Sequence, residues 1–167
     1  MLRNGTRSQS IGVLLAMTAQ ERKHICEEKL KRWIKLRDEV NMAEDDAANV
    51  AFSQGDGEPV QSSTISDKTF RGAIILERVE DKRAWVECIE KAMAWLEEER
   101  PDLQRLLYGH YGMRYTRGYK RKHARSFADS YCKVYGISMR EYHSRRIEGL
   151  EEVAYQASEA GLLRNCK

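Results

Sequence analysis

Apolar residues recur at spacings of three, four and seven along most of the chain, and no stretch alternates apolar with polar as a half-buried strand would; the pattern predicts an all-α fold. From Thr18 to about Phe52 there is neither Gly nor Pro, and Cys26, Leu30, Trp33, Val40 and Ala47 mark one face of a single long amphipathic helix. Thr18 is its expected N-cap, with Glu21 completing a capping box. Gly55-Asp56-Gly57-Glu58-Pro59 ends it, and the polar run to Asp67 reads as a linker. A second helical block is expected from about Thr69 to Glu99, where Ile75, Val79, Val86, Ile89, Met93 and Leu96 trace one face and Trp85 and Trp95 flank it. Pro101 closes that block, takes Arg100 out of the helix and opens a third helix running through Leu106 and Leu107 to about Tyr111.

The segment from Ser126 to Ala154 carries the most local information. Ser126 can cap a helix of about ten residues whose apolar positions are Phe127, Tyr131 and Val134, and Gly136 stands where a left-handed residue ends it. Ser138 then offers an N-cap, Glu141 a capping-box partner, and Ile137 an apolar staple to Tyr142. A helix, a three-residue turn containing Gly and a longer helix is the order of a helix-turn-helix unit, whose second helix enters the major groove of DNA. With Tyr142, Leu150 and Val153 inward, Met139, Arg140, His143, Ser144 and Arg146 fall on or near the outward face, with Glu141 and Arg145 beside them. Arg reads guanine bidentately, Ser and His bond base edges or phosphates, and Met contacts a thymine methyl.

Charge sharpens this picture. The net charge is +3, yet the stretch 100–146 holds twelve basic residues against three acidic ones, while 18–99 holds thirteen against nineteen. Positive charge concentrated in under fifty residues attracts a polyanion there. Within it, the run from Met113 to Arg125 interleaves basic residues with Tyr115 and Tyr119 and reads as a loop, in which Arg121 and Lys122 are placed to hold phosphates without reading sequence.

Other classes of function lack a signature. The four cysteines form no CxxC pair and only His24 lies near one, so no zinc site is expected. No Gly-rich phosphate loop, paired-carboxylate site or nucleophile with an evident base appears, and no cofactor or enzymatic activity is expected. No stretch approaches membrane-spanning length. Residues 1–17 read as a disordered arm or as upstream of a start at Met17; 18–100 as a helical N-terminal region with a loop at 54–68; 101–163 as the DNA-binding domain.

Over roughly Glu27 to Leu163 the chain resembles the phage transcriptional activators of the RinA family and the related ArpU-type regulators, whose C-terminal halves are similar to region 4 of sigma factors. The resemblance lies in order and spacing: a charged helix with Leu36-Arg37-Asp38-Glu39, a polar linker ending in Ser66-Asp67-Lys68-Thr69, Ala73-Ile74 opening a helix that passes Ile89-Glu90-Lys91-Ala92, Leu103 to Tyr111, and the turn Gly136-Ile137-Ser138 leading to Val153-Ala154. Two departures stand out. The stretch between Tyr111 and Ser126 is longer and more basic than the family's connection, and Arg145 sits where members often carry an aromatic residue. The resemblance implies a cytoplasmic activator of late phage genes that binds double-stranded DNA and works with host RNA polymerase; the long helix from Thr18 could serve a homodimer as readily as an intramolecular core. A Q-type phage antiterminator and a DNA-packaging small terminase subunit are the competing readings; in the latter the DNA-binding part usually comes first in the chain.

Overall fold

The computed structural model describes residues 17–52, 67–114 and 118–163, and among these the chain is all-helical. The helices are α1 (Ala19–Lys31), α2 (Trp33–Phe52), α3 (Asp67–Glu77), α4 (Glu80–Glu99), α5 (Pro101–His110), α6 (Arg121–Tyr135) and α7 (Met139–Glu159). The readings made of residues 1–16 and of the turn at 55–59 lie outside the described residues.

Local signals hold where they are strong. Thr18 caps α1: its hydroxyl accepts from the Glu21 amide at 3.2 Å and its own amide donates to the Glu21 carboxylate at 2.7 Å, which is the expected capping box. Arg100 leaves the helical region at φ −143° and ψ 66°, and Pro101 opens α5 at a position where a backbone N–H has no acceptor to lose.

Two helices expected to be continuous are broken. The first divides at Arg32 (φ −102°, ψ 2°), whose N–H turns back to the Lys29 carbonyl at 3.1 Å while its own carbonyl accepts from Leu36 at 2.9 Å. The reason is packing. Cys26 and Leu30 of α1 and Trp33 and Ile34 at the start of α2 belong to the main core, whereas Leu36, Val40 and Ala43 farther along α2 belong to a second, smaller one, so the stripe changes core within a turn of the bend. The expected block from Thr69 to Glu99 divides at Arg78 and Val79, where the Val79 N–H bonds the Leu76 carbonyl at 3.1 Å. Here α3 folds along α2, and Val79, Val86 and Ile75 close the small core over Leu36 and Val40. Trp85 is buried and Trp95 is 43% exposed, so only the first of the two flanking tryptophans joins the core.

The main core draws on both sides of Pro101. Cys26 and Leu30 from α1, Ile89, Met93 and Leu96 from α4, Leu103, Leu106 and Leu107 from α5, Tyr131 from α6, and Tyr142, Leu150 and Val153 from α7 form one cluster. Each fully buried aliphatic side chain of this kind contributes roughly 1.5–3 kcal/mol relative to exposure. Gly149 permits the α5–α7 approach: a Cβ there would lie 3.0 Å from the Leu107 side chain. No helix among the described residues is long and apolar enough to cross a membrane.

Candidate nucleic-acid interface

The turn between α6 and α7 is built from its glycine outward. Gly136 takes φ 63° and ψ 28°, its N–H bonds the Cys132 carbonyl, and Ile137 N–H reaches the same carbonyl at 3.2 Å, which closes the end of α6. Ser138 then caps α7, accepting from the Glu141 amide at 3.1 Å. The Glu141 carboxylate accepts instead from Arg145 at 2.7 Å, so this cap is one-sided where a reciprocal box is expected. Ile137 is half-buried against the core that holds Tyr142, as a staple requires.

A Cβ on Gly136 would meet nothing within 4 Å, so the cost of a side chain there is backbone strain alone. Gly136→Val should cost about 1–2 kcal/mol and Gly136→Asn clearly less, because Asn tolerates the left-handed region. Urea unfolding of the two variants checks this; equal losses would mean that something other than φ holds the turn.

Along α7 the inward stripe is Tyr142, Gly149, Leu150, Val153 and Ala157, all buried. The opposite face presents Met139, Arg140, His143 and Ser144, all exposed as the periodicity predicts. Arg146 corrects the expected face. It lies four residues after Tyr142 and four before Leu150, on the buried stripe, where its Nη1 donates to Glu27 at 2.7 Å and to the Tyr111 hydroxyl at 3.1 Å. Its Nε is buried without a hydrogen-bond partner among the described residues. Arg146 therefore ties α7 to α1 and does not point outward. Ile147 takes the outward place beside His143 and Ser144 at 41% exposure. Reading Arg146 as outward from its polarity misassigns it, although the spacing from Tyr142 contains the right answer. Arg145 is half-buried, held by Glu141 and within 4.0 Å of Asp102 on α5.

Beneath the face, Tyr142 is fully buried and its hydroxyl shares a 2.8 Å hydrogen bond with Nδ1 of His110. Burial, reinforced by the nearby Arg146 cation, pushes the His110 imidazole down to about 4, so it is neutral in the fold. Burial pushes the Tyr142 phenol up, and it stays protonated.

The basic stretch is ordered differently from the expected loop. Residues 115–117 lie outside the described set, but Arg121, Lys122 and Arg125 form the start of α6, all three exposed. Helix α6 thus begins five residues before Ser126, which is an exposed interior residue and not a cap. Lys120 is the N-cap, with no side-chain hydrogen bond, and no acidic residue stands in the first turn. The helix dipole and these cations make this end of α6 strongly positive. Helix α6 rises about 1.5 Å per residue, which puts Arg121 and Lys122 roughly 20 Å along the axis from the turn that carries Arg140. The site therefore has two separate parts: a mixed polar and apolar face on the first two turns of α7, and a cationic end of α6.

Among the described residues no group of three or more His, Cys, Asp or Glu side chains is gathered as a metal would need. No protein-family model, curated protein or solved structure matches the chain.

Proposed function

We propose that the protein is a sequence-specific double-stranded DNA-binding transcription regulator, with α6, the turn at Gly136 and α7 as its helix-turn-helix unit. The observation that carries the reading is the exposed face of α7, Met139, Arg140, His143, Ser144 and Ile147, at the capped start of a helix whose opposite face is locked in the core. Such a face offers a bidentate donor, two adaptable polar groups and two apolar contacts for thymine methyls, which is the chemistry of major-groove readout. The cationic end of α6 lies farther from the turn than the roughly 12 Å width of a major groove, so Arg121 and Lys122 hold the flanking phosphates while α7 reads bases. Arg146 and Arg145, engaged with Glu27, Glu141 and Asp102, support the helix and make no base contact. The similarity to sigma region 4 favours action at a promoter together with RNA polymerase in the cytoplasm of a phage-infected host; activation of late genes is the form of regulation we assign.

In vitro selection from random duplexes tests the reading, and a discrete enriched motif is the expected result. On that duplex Arg140→Ala should weaken binding by roughly 1–3 kcal/mol, relax preference at one base pair and change binding to scrambled DNA little. Arg121→Ala and Lys122→Ala should weaken both duplexes alike and lower the salt slope of log K by about 0.9 per lost contact. Equal weakening of both duplexes by Arg140→Ala would make α7 a phosphate-binding element, and selection without an enriched motif would overturn sequence-specific reading.

A further inference from the structure

We propose that the cleft between α5 and α6 binds a small aromatic anion, a molecule of one or two rings bearing a carboxylate or an equivalent group. The cleft encloses about 310 Å³. That is the lower end of the range for small-molecule sites.

The cleft owes its shape to Gly109. A Cβ at that position would fall 2.0 Å from Cζ of Phe127, so the Phe127 ring lies where a side chain of α5 would otherwise stand, and the cleft opens beside it. From Phe127 a run of rings continues along α6: Phe127 to Tyr131 at 5.7 Å between centroids, then Tyr131 to Tyr135 at 4.3 Å. These walls suit a planar ring by offset or edge contact. Val134 is 78% exposed and Tyr135 47% exposed at the rim, and the core leaves both uncovered. Of the apolar positions Phe127, Tyr131 and Val134 on α6, Tyr131 is buried and Phe127 half-buried, while Val134 stands exposed at the rim.

Charge decides the ligand class. Among the described residues Arg105 and Arg114 line the cleft, no carboxylate does, and neither arginine has an ion-pair partner. The Arg114 guanidinium is stacked 5.0 Å over the Tyr108 ring, which holds it at the mouth. A carboxylate between the two guanidiniums, with its ring on the tyrosines, satisfies both kinds of wall. None of the lining residues belongs to the DNA-reading set, so the inference stands without the function proposed above.

The test is an NMR titration of the ¹⁵N-labelled full chain with 2-naphthoate, with 2-naphthalenemethanol and acetate as the neutral and ringless counterparts. Saturable shifts centred on the Gly109 and Ser130 amides are expected with naphthoate. The alcohol should bind at least about tenfold more weakly, as should naphthoate to the Arg105→Gln, Arg114→Gln double variant. Ser130→Trp, at an exposed lining position, should fill the cleft and abolish the shifts while leaving the thermal midpoint unchanged. Absence of saturable shifts, equal binding of acid and alcohol, or persistence of binding in Ser130→Trp would overturn the proposal. So would shifts of the same amides on raising protein concentration alone, since a second copy would then be the occupant.

Discussion

Glu27→Ala should destabilise the protein by about 2–4 kcal/mol, more than removal of an ordinary surface ion pair, because it strands the Arg146 guanidinium between α1, α5 and α7. The two side chains are only 23% and 18% exposed, and among the described residues the Arg146 Nε already lacks a partner. Although burial opposes it, Arg146 holds the Glu27 carboxyl below the usual carboxylate range, so the pair is ionised. Replacing both members by Met should cost less than either single change to Ala, since the unpaired charge is then gone and the volume is kept. A double-mutant cycle by urea unfolding measures this. If Glu27→Ala costs under about 0.5 kcal/mol, as exposed pairs do, the bridge is not what docks α7 onto α1.

Acid should destabilise the fold well before its carboxylates titrate. His110 is neutral in the fold down to about pH 4, whereas in the unfolded chain it takes a proton near 6.5. As pH falls through that window the unfolded state binds the proton first, so stability is full above about 6.5 and falls toward 4, by about 3 kcal/mol in total. Glu27, with its lowered value, adds a loss of the same sign only below the ordinary carboxylate value of 4.5. His110→Asn, which keeps a polar atom near the place of Nδ1 opposite the Tyr142 hydroxyl, should flatten the slope between about pH 6.5 and 4.5 at some cost in packing. Unfolding free energies of the two proteins across that range give the answer. Parallel slopes would assign the proton uptake to another group.

What sequence reading captures here is local. The Thr18 cap, the break at Pro101, the left-handed Gly136 and the Ser138 cap each depend on residues within four positions of one another, and each forms. The bends at Arg32 and Val79 have no such source. Neither site holds Gly or Pro, and what breaks the helices is the demand of two cores for one continuous stripe. Ser126 shows the reverse error: a good capping residue is overruled because α6 already runs from Arg121, its first turn held by Ala124 N–H on the Lys120 carbonyl at 2.9 Å. On α7 the inward register is legible from Tyr142 and Leu150 and includes position 146; what the sequence does not show is the half-buried acid that pairs with Arg146 there, Glu27 on α1, 119 positions earlier. The cleft beside Gly109 was not legible at all, since it arises where a missing side chain on α5 meets a ring on α6.

The partnership of α1 with α7 also sets a schedule. Cys26 and Leu30 meet Val153 and its neighbours in one core, so α1 has no complete partner until the chain has been made through α7. At about 5–20 residues per second, synthesis from the end of α1 to the end of α7 takes on the order of ten seconds. During that interval the apolar stripe of α1 stays only partly covered on the ribosome, and contacts of such long sequence separation are the slow ones to form. Chain termination ahead of α7 would leave α1 exposed for good, so prematurely released fragments of this protein are the species from which aggregation should start.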